Sequence, residues 1–63
     1  MIKEDDIKIG NKFIGDINGF EFEIIDLKND NGSEYVTIKD GKNKKYDISI
    51  CAFRNLLITK VRD

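Results

Sequence analysis

The chain contains no histidine, no tryptophan and no proline, and Cys51 is its only cysteine. Each absence removes a class of chemistry. Without an imidazole, nothing obvious activates Cys51, Ser33 or Ser49 as a nucleophile. One thiolate without histidines makes a poor zinc site, and a single cysteine forms no internal disulfide. No glycine-rich phosphate loop is present, because all five glycines sit in or beside turns. No enzymatic activity, metal or cofactor is therefore expected. Cys51 itself, in "ISICAF", reads as a small buried hydrophobe rather than a reactive thiol. The apolar runs are only a few residues long, too short for a membrane-spanning helix. The opening residues "MIKEDDIKIG" carry acids early and no apolar core, unlike a secretory leader. These features predict a cytoplasmic protein with no membrane contact.

What the chain does have is 63 residues, 40% apolar and 37% charged, with a formal net charge of −1. This suits one small soluble domain rather than a disordered chain. A domain of this size buries only about 60% of its unfolded surface. With disulfides and metals set aside, stability is expected from a compact core, a partner or a second copy.

Glycine supplies the punctuation. Asn18-Gly19, Asn31-Gly32 and Asp40-Gly41 are strong hairpin signals, because both central positions of a type I′ turn need positive φ. They stand roughly a dozen residues apart, as in a small antiparallel meander. A two-residue turn at Asn18-Gly19 predicts Ile17 opposite Phe20, Gly15 opposite Phe22 and Phe13 opposite Ile24. One face is then apolar, and the other sets Asp16 against Glu21. A turn at Asn31-Gly32 sets Leu27 against Val36 and Ile25 against Ile38. The inward positions switch from even to odd across Ile24-Ile25, which predicts a β-bulge there. In the third hairpin Ile38 faces Tyr46, Val36 faces Ile48, and Lys39 lies across from Lys45, with Gly41-Lys42-Asn43 at the tip. "ISICAFRNLL" then offers one helical turn, with Phe53 and Leu56 inward, and "LITKVR" a last strand. The expected core is Phe13, Phe22, Ile24, Leu27, Val36, Ile38, Tyr46, Ile48, Phe53, Leu56 and Ile58. Residues 1–8 are expected to be disordered or an additional N-terminal segment of the single domain 1–63.

This arrangement of five strands with a helical turn before the last resembles an SH3-like β-barrel. The residues that carry the resemblance are Ile9-Gly10-Asn11-Lys12-Phe13, Gly19-Phe20-Glu21-Phe22, and Tyr46-Asp47-Ile48-Ser49 leading to Phe53 and Leu56-Leu57. They span about residues 9–62. The resemblance implies an all-β fold. It departs from the peptide-binding SH3 pattern in having no tryptophan, which argues against proline-rich ligands.

Three charged features are candidates for binding. Asp16, Glu21 and Glu23 form an acidic group on the first hairpin, suited to a basic protein partner. Lys39, Lys42, Lys44 and Lys45 surround the third turn, with Tyr35 on the same outward face as Lys39. That set suits a nucleic-acid backbone with a stacked base, an acidic protein surface, or simply protection of an exposed edge. The charge is also divided along the chain. Residues 1–34 hold 4 basic and 9 acidic groups, a net of −5; residues 35–63 hold 7 basic and 3 acidic, a net of +4. "DLKNDNGSEYV" resembles a calcium loop only superficially. With Gly32 at the sixth position, the first and twelfth ligand positions fall on Leu27 and Ile38.

The expected function is a small non-enzymatic protein-interaction module, an accessory or inhibitory factor that docks through charged faces. Its isoleucine- and lysine-rich usage resembles products of bacterial or phage mobile elements. The alternative is a nucleic-acid-binding barrel that uses the lysine-rich third hairpin. A homodimer through an open sheet edge is a third expectation.

Overall fold

A computed structural model describes residues 3–61. They form five strands and one short helix: β1 (Lys12–Gly15), β2 (Glu21–Asp30), β3 (Ser33–Asp40), β4 (Lys45–Ser49), α1 (Ile50–Arg54) and β5 (Ile58–Lys60), preceded by a 3-10 turn at Glu4–Asp6. The strands make one antiparallel sheet in the order β4-β3-β2-β1-β5. The all-β expectation holds. β4 and β5 are the two edges of the sheet and do not pair with each other; α1 and residues 55–57 join them. No helix among the described residues is long and apolar enough to cross a membrane.

The second and third hairpins fold in the expected registers. Asn31 (φ 51°) and Gly32 (φ 84°) form the two-residue turn between Asp30 and Ser33. Leu27 faces Val36, and the ladder slips between Ile24 and Asp26. The bulged residue is Ile25, so Ile24 rather than Ile25 stands opposite Ile38. In the third hairpin Ile38 faces Tyr46, Val36 faces Ile48 and Lys39 faces Lys45. Its tip closes with the Asp40 amide donating to the Lys44 carbonyl at 3.0 Å, and Asn43 takes the left-handed conformation (φ 66°).

The first hairpin differs by two residues. Phe13 faces Phe22, Lys12 faces Glu23 and Ile14 faces Glu21. Residues 16–19 form a four-residue loop, with Gly15 N–H on the Phe20 carbonyl at 2.8 Å and Gly19 N–H on the Gly15 carbonyl at 3.0 Å. The Asn18 carboxamide accepts the Phe20 N–H at 2.9 Å. A shift of two keeps every side chain on its expected face, since the pleat has a period of two. It does separate Asp16 from Glu21.

The core is Ile7, Phe13, Phe22, Ile24, Val36, Ile38, Phe53 and Ile58, with Ile48 and Ile50 packed against it. Three rings form its centre. Phe13 and Phe22 stack at 5.8 Å, and Phe53 meets both edge-on, at 5.4 and 6.0 Å. Edge-to-face contact suits the ring quadrupoles. α1 exists to deliver Phe53: Ser49 caps it by accepting the Ala52 N–H at 3.3 Å, and Phe53 is its buried residue.

Three expected core residues lie outside. Leu27 is 44% exposed, because the far half of the β2–β3 hairpin runs beyond the core. Tyr46 and Leu56 are each 38% exposed, Tyr46 on the edge strand and Leu56 past the end of α1. Cys51 is exposed on α1 rather than buried. Conversely, Ile7 joins the core from the segment after the 3-10 turn, and the Asn11 amide fixes that segment by donating to the Asp6 carbonyl at 2.8 Å.

Candidate functional site

Pairing across the sheet redistributes the candidate residues. Lys12, Glu23, Lys39 and Lys45 occupy one cross-strand row on β1, β2, β3 and β4. Glu23 therefore stands between two lysines instead of in an acidic cluster. Glu21 and Glu23 share an open groove of about 470 Å³ with Lys12, Lys39, Asp40, Gly41, Asn43 and Val61, floored by Phe13 and Phe22. Asp16 belongs elsewhere. Its carboxylate accepts the Thr59 hydroxyl at 2.5 Å, and its amide donates to the Leu57 carbonyl at 2.9 Å, tying the first loop to β5.

The third hairpin owes its shape to Asp40. One carboxylate oxygen accepts the Lys42 and Lys44 amides at 2.8 and 2.9 Å, and the other accepts the Tyr46 hydroxyl at 3.3 Å. The Lys44 amide is the main reason that the Asp40 carboxyl is held below its usual range. Burial opposes the shift, and the Lys42 amide, the Tyr46 hydroxyl and the Lys44 charge add to it. Asp47 is held down first by the Thr37 hydroxyl at 2.6 Å, against partial desolvation, and then by Lys28 at 3.4 Å. Both acids within the lysine cluster are thus committed to internal partners. Among the described residues, Lys39, Lys42, Lys44 and Lys45 make no ion pair within 4.0 Å.

Tyr35 is not part of that group. It faces Lys28 and Ser49 across the ladders and lines a separate hollow of about 320 Å³ with Ile7, Leu27 and Ile50. Four residues along a strand separate it from Lys39, about 13 Å. The aromatic beside the lysines is Tyr46, with Lys44 Nζ 5.9 Å from its ring centre.

One surface had no place among the charged candidates. Between β4 and β5, where the sheet stays open, runs a groove of about 500 Å³. Ile48 and Ile58 line it from the two edges, Ile17, Asn18 and Phe20 from the first loop, and Asn55, Leu56 and Leu57 from the connection after α1; Phe22 and Ile38 form its floor. None of the described residues that line it is charged. Ile17 is 83% exposed and Leu57 64%. The apolar pairs flanking Asn18-Gly19 and the run Leu56-Leu57 were the available signals. Their meeting depends on β5 returning beside β1.

The fold and surfaces define a small antiparallel β domain with an apolar seam and a basic hairpin. No family model matches the chain, and no curated protein or solved structure is significantly similar to it.

Proposed function

We propose that the chain is a small non-enzymatic protein-interaction module built as an SH3-like barrel. The strand order β4-β3-β2-β1-β5 and the helical turn before the last strand support the barrel reading. The observation that carries the binding function is the seam groove. In a 63-residue chain, apolar side chains as exposed as Ile17 and Leu57 converge on one groove whose described lining residues carry no charge, and contiguous exposed apolar surface marks a site of association. The basic third hairpin continues β3 and β4 beyond the groove residues Ile38 and Ile48 and supplies orientation and encounter rate rather than the main affinity.

The test is affinity capture from host lysate on the immobilised chain, with and without nuclease. A captured protein that survives nuclease and is lost in Leu57→Asp supports the reading. Capture indifferent to that change, or abolished by nuclease, overturns it.

A second reading rests on the committed carboxylates of Asp40 and Asp47, which leave Lys42, Lys44 and Lys45 without a neutralising partner among the described residues. Such a hairpin suits a phosphate backbone. Binding of a single-stranded oligonucleotide should then weaken steeply with salt, and its salt dependence should flatten when these lysines become glutamates.

A further inference from the structure

We infer that the seam groove takes an extended peptide segment with apolar residues at alternate positions and an acidic residue at one end, paired as an added strand along β4. The inference rests on the protein-binding reading and specifies its partner.

Strand pairing shows which backbone groups β4 leaves unused. The Asp40–Lys44 bond closes the third hairpin. Bond-exchanging pairs alternate along an antiparallel ladder, so Ile38–Tyr46 and Val36–Ile48 are bonded pairs of the same parity. The N–H and C=O groups of Lys45 and Asp47 then point away from β3, toward the open edge. An extended segment laid there gains main-chain hydrogen bonds, and every second side chain enters the groove beside Ile48.

The two asparagines in the lining fit the same occupant. Asn18 Oδ1 is fixed by the Phe20 N–H, and Asn55 Nδ2 is fixed by the Cys51 carbonyl at 2.9 Å. A backbone N–H meets only an acceptor and a carbonyl only a donor, so both amide orientations are determined. Asn18 Nδ2 is left as a donor and Asn55 Oδ1 as an acceptor, each without a protein partner among the described residues. One donor and one acceptor in an otherwise apolar groove match a peptide unit.

Charge sets the direction. The described residues of the groove lining are uncharged, whereas Tyr46, opposite the floor residue Ile38, carries Lys44 over its ring. The Asp40 carboxylate close by is already occupied. An acidic residue on the segment is complementary at that end.

The test selects a display library of random peptides, about nine residues long, on the full chain, and titrates the enriched peptides as labelled synthetic probes. The expected sequences alternate apolar and polar residues and place Asp or Glu at one end. Leu57→Asp and Ile17→Asp, both at exposed positions, should weaken binding by about tenfold or more, a loss of about 1.4 kcal/mol. Lys44→Glu should remove the preference for the acidic end, and N-methylation of alternate peptide nitrogens should abolish binding. Failure to enrich any sequence, or binding unchanged by Leu57→Asp and Ile17→Asp, overturns the inference. If lysate capture still depends on Leu57 while no peptide binds, the groove receives a folded surface. The inference is then wrong and the interaction-module reading stands.

Discussion

The space that a side chain would occupy at Gly15 is filled by the carboxamide oxygen of Asn18. Gly15 ends β1, and Asn18 uses the same oxygen to accept the Phe20 N–H and close the loop. Gly15→Ala should therefore displace Asn18 and cost about 0.5–1.5 kcal/mol, the worth of one hydrogen bond. The cost should shrink when Asn18 is already alanine, because the obstruction is gone. A double-mutant cycle by urea denaturation measures that coupling. Independent, additive effects would show that the two residues do not share the space.

Asp40 and Asp47 give the domain a predictable acid limit. Both carboxyls are held below their ordinary range, so the unfolded chain takes up protons first as pH falls. Their stabilisation is fully present above the unfolded value, about pH 4, and is lost as pH drops through the lower folded values. Urea midpoints measured from neutral pH downward should fall below about pH 4, and Asp40→Asn should flatten that decline. Asp40→Ala should cost more at every pH, because it also leaves the Lys42 and Lys44 amides without their acceptor.

Burial separates residues that composition alone treats alike. Ile7→Ala should cost about 2–5 kcal/mol, although Ile7 precedes every strand, whereas Leu27→Ala should cost well under that range. Phe53→Ala removes the ring that touches both other core phenylalanines, at about 3–5 kcal/mol. A domain of this length has roughly 3–9 kcal/mol in total. Circular dichroism should show Phe53→Ala largely unfolded at moderate temperature and Leu27→Ala folded.

The hairpins show where sequence is legible and where it is not. Asn31-Gly32 and the third turn were readable because each loop is short and local, and its residues dictate backbone conformation directly. Asn18-Gly19 misled because the Asn18 side chain itself closes a longer loop, so the pair lies at the end of the turn rather than its centre. The bulge was visible as the doubled Ile24-Ile25. Its effect on Leu27 was not, because exposure there depends on how far the hairpin outruns the core. Ile7 lies beside a 3-10 turn with no periodicity to mark it. The charged residues were conspicuous in sequence. Their grouping was not, because cross-strand rows set Glu23 among lysines and left Asp16 with Thr59. The seam groove draws on several separate segments and has no signature of its own.

The row Lys12, Glu23, Lys39, Lys45 carries one carboxylate among three ammonium groups. Opposite charges across strands stabilise by roughly 0.2–1 kcal/mol per pair, and like charges destabilise similarly. Glu23→Gln removes two favourable pairs, so it should destabilise the fold. Lys45→Glu turns the like-charge pair with Lys39 into an attractive one and should stabilise it. Both effects should fade in concentrated salt, where surface charges are screened. Urea denaturation at low and high ionic strength checks the signs together. Lys45→Glu also probes function, since the β4 edge contributes its backbone to the proposed strand addition and Lys45 belongs to the basic end. A variant that is more stable but binds acidic peptides less tightly would show that the Lys39–Lys45 repulsion is retained for the ligand. A variant that is more stable and binds equally well would confine the acidic preference to Lys44.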